Sequence, residues 1–149
     1  MGQSVNMFLG TYELNLDSKN RLSLPSRLRS KISSGVVISK GYEGCLELRT
    51  PEEFEKYAKS LTDLSNTRKD SRLIVRLVLA NSIDLELDSA NRVLIPANLI
   101  KEANLKKDIT VIGLGNKVEI WDKSSFEKYK AESDGEFENV AERLDNGNE

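Results

Sequence analysis

Two aspartate–arginine pairs are the residues of this chain best suited to chemistry, and they recur in matching company. The first lies in Leu16-Asp17-Ser18-Lys19-Asn20-Arg21-Leu22-Ser23-Leu24-Pro25 and the second in Leu87-Asp88-Ser89-Ala90-Asn91-Arg92-Val93-Leu94-Ile95-Pro96. Arginine presents a planar fork of N–H donors that meets a phosphate, or the edge of a guanine, with two parallel hydrogen bonds. A carboxylate four residues earlier, across a tight turn, holds that fork in one orientation and leaves nitrogens free for a ligand, so less entropy is lost on binding. The bland alternative is an exposed ion pair that only tidies a turn, worth about 0 to 1 kcal/mol. A repeat that keeps its charged pair, and not only its apolar residues, favours a working surface carried twice.

Composition narrows the chemistry further. The chain has 149 residues, one cysteine and no histidine, which removes Ser-His-Asp and Cys-His catalysis and most zinc sites. Cys45 sits in an apolar alternating segment, has no partner for an internal disulfide, and as a buried thiol is a poor nucleophile. Neither GxxxxGK[ST] nor GxGxxG is present, and Gly41-Tyr42-Glu43-Gly44 and Gly113-Leu114-Gly115 read as turns between strands. The chain is therefore expected to be no enzyme and to need no cofactor or metal. No apolar run approaches the roughly 18 to 20 residues of a membrane span, and Met1 to Gly10 lacks the pattern of a signal peptide. No membrane partner is expected, and a soluble cytoplasmic protein is.

The formal net charge of -2 hides a segregation. Lys19, Arg21, Arg27, Arg29 and Lys31 stand against Asp17 alone, and Arg68, Lys69, Arg72 and Arg76 against Asp70. Residues 131–149 hold Glu132, Asp134, Glu136, Glu138, Glu142, Asp145 and Glu149 against Arg143. The body is basic and an acidic tail masks it.

The elements that must position the pairs follow from periodicity. Tyr12, Leu14 and Leu16 alternate along a strand from Gly10, Ser18-Lys19-Asn20 makes a turn, and Leu22 and Leu24 resume the pattern, which predicts a hairpin. Ile83, Leu85, Leu87, Val93 and Ile95 repeat it, and Asn20 tolerates the left-handed backbone such a loop needs. Pro25 and Pro96 suit the first turns of short helices, with Leu28 and Ile32 on one face in the first copy and Leu99 and Ala103 in the second. Val36-Val37-Ile38 and Cys45-Leu46-Glu47-Leu48 read as strands, as do Ile109-Thr110-Val111-Ile112 and the run from Lys117 to Trp121. Four strands and one short helix per copy result. Trp121 is expected in the core or a subunit interface.

Thr50-Pro51-Glu52-Glu53 signals a helix start, with Phe54, Tyr57, Ala58, Leu61 and Leu64 following at helical spacing. A bridging helix over 67–80 places Leu73, Ile74, Leu77 and Val78 on one side and Arg68, Arg72 and Arg76 on another. Asp122 caps a last helix through Phe126 and Tyr129, which Phe137, Val140 and Leu144 extend past Asp134-Gly135, with disorder expected from Asp145 to Glu149. The domains predicted are a module over 11–53, a helical connector over 54–81, a second module over 82–125, and a C-terminal helix with an acidic flexible tail over 126–149.

Met7-Phe8-Leu9-Gly10-Thr11-Tyr12, together with the two Asp-x-x-x-Arg runs at their spacing, resembles the MraZ family of bacterial transcriptional regulators, over most of the chain from Met7 to about Tyr129. That family carries two AbrB-like modules per chain. The resemblance implies an α+β, mainly β fold: a pseudo-two-fold β-barrel of two interleaved AbrB-like halves with peripheral helices, assembled into a ring-shaped homo-oligomer. It also implies binding to double-stranded DNA at tandem repeats in the promoter of the division and cell-wall gene cluster, hence a nucleoid-associated protein. Carried over by position, Arg21 and Arg92 contact DNA, Asn20 and Asn91 share their turns, and Asp17 and Asp88 orient the arginines. Arg27 and Arg29 are candidate phosphate contacts, with Lys31 beside them as solvated helix charge. Lys19 in the first turn stands where the second has Ala90, so the first turn is expected to make the stronger DNA contact, with Lys19 on a phosphate. The segment Met1 to Asn6 precedes the family-like start. A different class of function remains open: related small β folds occur in antitoxins whose acidic tails occupy a toxin's basic site, and residues 131–149 have suitable charge.

Overall fold

The computed structural model describes residues 5–147; the start of the Met1 to Asn6 segment and the final Asn148 and Glu149 lie outside the described residues. The first repeat gives β1 (Phe8–Asn15), β2 (Arg21–Ser23), α1 (Ser26–Arg29), β3 (Gly35–Lys40), β4 (Leu46–Arg49) and α2 (Pro51–Thr62). A connecting helix α3 (Lys69–Leu79) leads to β5 (Ile83–Glu86), β6 (Arg92–Leu94), α4 (Ala97–Glu102), β7 (Asp108–Gly115), β8 (Val118–Asp122), α5 (Lys123–Ser133) and α6 (Phe137–Asp145). Four strands and a short helix per copy are what the sequence predicts. Local chemistry starts the helices: Thr50 accepts a hydrogen bond from Glu53 N at 3.3 Å with Pro51 at the first position, and Asp122 accepts one from Ser125 N at 3.3 Å. Pro25 and Pro96 stand one residue earlier than expected, as the extended residues just before α1 and α4.

Strand partners depart from the sequence reading. The turn of each predicted hairpin forms, with Asp17 N donating to Arg21 O and Asp88 N to Arg92 O at 3.0 Å, but its strands do not continue as a ladder; β1 pairs antiparallel with β7 of the other copy over its whole length, β5 pairs with β3, and β2 with β6. A single bridge, Leu16 to Leu22, is left of the expected ladder. A two-stranded hairpin is marginal in water because its apolar face has nothing to pack on. Exchange of strands gives both copies one sheet and one core. The six-stranded order β1-β7-β8-β4-β3-β5 reads the same when the copies are interchanged. A pseudo-two-fold therefore passes between β4 and β8, where Glu47 faces Glu119, and through the β2–β6 ribbon, where Leu22 faces Val93. The ribbon is a separate two-stranded sheet, and no hydrogen-bonded barrel closure is present among the described residues.

The core unites the two copies. Leu22, Leu28, Ile38, Leu46 and Leu48 pack in one cluster with Val93, Ile95, Leu99, Ile109 and Ile120. On the other side of the sheet Ser39, Glu47, Arg49, Thr110 and Trp121 are buried as well. With both faces covered, β3 and β4 lose the alternation of a half-exposed strand. Trp121 packs against Phe126 and Tyr129 of α5 at 5.3 and 5.2 Å. Glu47 accepts from Arg49 Nη1 at 2.7 Å and Lys117 Nζ at 2.9 Å, and the Arg49 guanidinium lies 3.7 Å from the centre of the Tyr57 ring on α2. Burial, with Glu119 and Glu47 adding, pushes the Cys45 thiol well above its ordinary value, which leaves it inert.

Three other local readings change. Gly113 and Leu114 lie within β7, and the reversal comes after them, with Leu114 N bonded to Lys117 O at 2.9 Å. Glycine is needed at 113 because a Cβ would stand 2.5 Å from Leu9 N of β1. On α3 the inward face is Ile74, Val75, Val78 and Leu79, while Leu73 and Leu77 are exposed. The C-terminal region is two helices, since Gly135 at φ +82° ends the path of α5 and α6 continues to Asp145. Among the described residues no helix is long and apolar enough to cross a membrane.

Candidate nucleic-acid interface

The aspartate of each turn organises the loop before it touches the arginine. Asp17 Oδ1 accepts from Lys19 N and Arg21 N, both at 2.9 Å, and its Oδ2 accepts from Arg21 Nε at 2.7 Å. Asp88 repeats this with Ala90 N and Arg92 N at 2.9 Å and Arg92 Nε at 2.8 Å. Asn20 and Asn91 take the left-handed conformation, φ 62° and 60°, that brings the chain round. One carboxylate thus sets the turn backbone and the side chain together. Using Nε for the clamp leaves the two terminal nitrogens, the pair that forks onto phosphate or guanine, without a hydrogen bond to the turn's own aspartate. The side chains of Arg21 and Arg92 are 29% and 30% exposed, held yet reachable.

The β2–β6 ribbon brings the two turns together. Ile95 N donates to Asn20 O at 3.0 Å and Leu24 N to Asn91 O at 3.3 Å, so each turn is sealed by the opposite copy. Arg92 Nη1 also lies 3.9 Å from Asp17 Oδ2. Two aspartates and two arginines cancel in charge, so any excess attraction for an anion must come from neighbours. Exposed Lys19 is one of them. Lys106 and Lys107 are two more, lining a cleft with Asp17, Ser18 and Asn20, and Leu16 N donates to Lys107 O at 2.9 Å. The sequence reading missed these lysines because they belong to the second copy and reach the first turn only through strand exchange. At the matching place before β3 the first copy has Ser33 and Ser34. The first turn is accordingly the more basic one.

Arg27 and Lys31 do not join this group; they line a different cleft with Val5, Met7, Leu9 and Tyr12 beside β1. Arg29 is half-buried on α1. Asp17 and Asp88 are both held below the ordinary carboxylate value, foremost by the backbone N–H of Arg21 and of Arg92, while partial desolvation opposes this. The clamps therefore stay ionised throughout the neutral range.

Fold and site together define a duplicated α+β protein whose halves exchange strands and display two carboxylate-held arginines on one shared ribbon. The model of the MraZ protein family, also described as antitoxin-like, matches the chain twice, over residues 7–77 and 78–148. The chain is 48% identical over 139 residues to the transcriptional regulator MraZ of Mycoplasmoides gallisepticum, a match covering 93% of this chain and 98% of that protein. It is 44% identical over 142 residues to the transcriptional regulator MraZ of Mesoplasma florum, covering 95% and 97%, and 38% identical over 142 residues to that of Thermoanaerobacter sp. strain X514, covering 95% and 99%. The chain belongs to the MraZ family.

Proposed function

We propose that this protein is a sequence-specific DNA-binding transcriptional regulator, not an enzyme, that works as a ring-shaped homo-oligomer on tandem promoter repeats. The observation that carries the reading is the paired turn: two partly exposed arginines, each held by Nε, on a ribbon that fixes their separation. The names of the relatives support regulation. Few phosphate contacts per subunit give weak, salt-sensitive binding. A ring tethers several such subunits, makes later contacts intramolecular, and raises apparent affinity by about 10² to 10⁴ when the repeats match the subunit spacing. Promoter repeats of the division and cell-wall genes are the target this reading expects, which places the protein in the cytoplasm at the nucleoid. In the same reading the six-stranded sheet and the ribbon together make the pseudo-barrel.

The test is a gel-shift titration on tandem-repeat, single-repeat and scrambled DNA with the full chain, Arg21→Ala, Arg92→Ala and a chain ending at Lys130. Preference for the tandem repeats, lost by about tenfold or more in each arginine variant and kept by the shortened chain, supports the regulator. Binding that ignores sequence, or that changes only on removal of the acidic residues 131–149, favours the antitoxin-like reading, in which that segment engages a basic protein.

A further inference from the structure

The two ends of the β2–β6 ribbon match in their clamped arginines and differ in the charge around them. Arg21 faces Leu94 and Arg92 faces Ser23, so the turns stand at opposite ends of the ribbon. Beside the first turn, β1 closes with Asn15 opposite Asp108, and Lys106 and Lys107 come just before Asp108. Beside the second, β5 closes with Glu86 opposite Gly35, and Ser33 and Ser34 come just before Gly35. Asp17, Lys19, Arg21, Lys106, Lys107 and Asp108 sum to +2. Their counterparts sum to -1, since Glu86, Asp88 and Arg92 are the charged ones and Ala90, Ser33 and Ser34 are neutral. Lys31, the cation nearest Ser33 in sequence, lines clefts beside Met7 instead. Lys19, Lys106 and Lys107 are exposed, and among the described residues none of them is ion-paired.

We propose that Lys19, Lys106 and Lys107 form a phosphate-binding subsite, built by both halves, at one end of the ribbon only. Each subunit then grips the DNA backbone on one flank of its repeat and leaves it ungripped on the other. The inference rests on the proposed DNA-binding function and divides its contacts between the two ends. Lysine is a compact charge on a flexible stem, which suits a phosphate and holds register without reading a base. Attraction between exposed charges reaches about 8 Å at physiological salt, so each end acts on the phosphates nearest to it. The basic end releases counterions from the backbone as it binds. At the acidic end Arg92 has no neighbouring cation, Glu86 repels phosphate, and the hydroxyls of Ser33 and Ser34 bring no charge. A two-fold protein on DNA makes matching backbone contacts on both sides of its dyad. Here the dyad holds for the arginines and fails for the lysines.

The test is a binding titration of the full chain on tandem-repeat DNA in which methylphosphonate, a neutral linkage, replaces the phosphates on one flank of every repeat, or on the other. Wild type, Lys19→Ala/Lys106→Ala/Lys107→Ala and the charge-matched control Lys69→Ala/Arg72→Ala/Arg76→Ala on α3 are compared. All six positions are exposed, and far-UV circular dichroism verifies that each variant is folded. For wild type, neutralising one flank should raise the dissociation constant about tenfold or more and the other by no more than about twofold. The lysine variant should bind more weakly and lose that difference, while the control keeps it. Equal costs on the two flanks in wild type overturn the subsite. So does a difference that survives in the lysine variant, or one that the control abolishes as well. Each of these leaves the regulator reading in place so long as wild type prefers tandem-repeat to scrambled DNA. A wild type without that preference overturns the reading, and the subsite falls with it.

Discussion

Asp17 and Asp88 each act on two things at once, the shape of a turn and the aim of a guanidinium. Their carboxyls sit below the ordinary value in the folded chain. The hydrogen bonds they accept therefore contribute stability in full above the ordinary carboxylate range, and that contribution is lost only as pH falls through the lowered values. Carboxyl ¹³C titration of the folded protein should give midpoints for both residues below about 3.9, the unperturbed aspartate value. A midpoint at or above that value would show that the clamp does not form in solution. These sites were legible in the sequence because every bond of the clamp joins residues no more than four apart.

At the scale of elements, the interest lies in what neighbouring strands bring to each other. Lys106 and Lys107 precede β7, and the pairing of β7 with β1 sets them beside the first turn. If both meet phosphates, Lys106→Ala/Lys107→Ala should reduce the slope of log K against log salt by roughly two, at about 0.9 per contact, with little change in the preference between DNA sequences. An unchanged slope would remove them from the interface. Across the sheet, Glu47 is held between Arg49 and Lys117 under α2, and Arg49 is 5% exposed. Glu47→Ala strands a buried guanidinium, and urea denaturation should show a loss of about 3 to 5 kcal/mol. Neither group was found by periodicity, since the lysines look like ordinary loop charge and Glu47 like the outward residue of a half-exposed strand.

For the whole molecule, strand exchange means that neither half owns a complete core. Leu22 and Val93, both at 0% exposure, face each other across the pseudo-two-fold. Unfolding should therefore be a single event. Trp121, the one tryptophan, reports on the second half and far-UV circular dichroism on both, so their urea transitions should coincide at low protein concentration. Separated midpoints would mean that the halves unfold independently.

The sequence by itself determined the duplication, the four strands and short helix of each copy, the helix caps at Thr50 and Asp122, and the Asp-x-x-x-Arg turns with their left-handed asparagines. All of these depend on interactions within a few residues, which composition and spacing record. Tertiary structure alone decided that β1 joins β7 rather than β2, that Gly113 lies inside a strand against β1, that Leu73 and Leu77 face outward, and that Lys106 and Lys107 serve the opposite copy's turn. Those outcomes depend on which apolar faces can be buried together once both copies are present, and contacts so distant along the chain leave no local pattern to read.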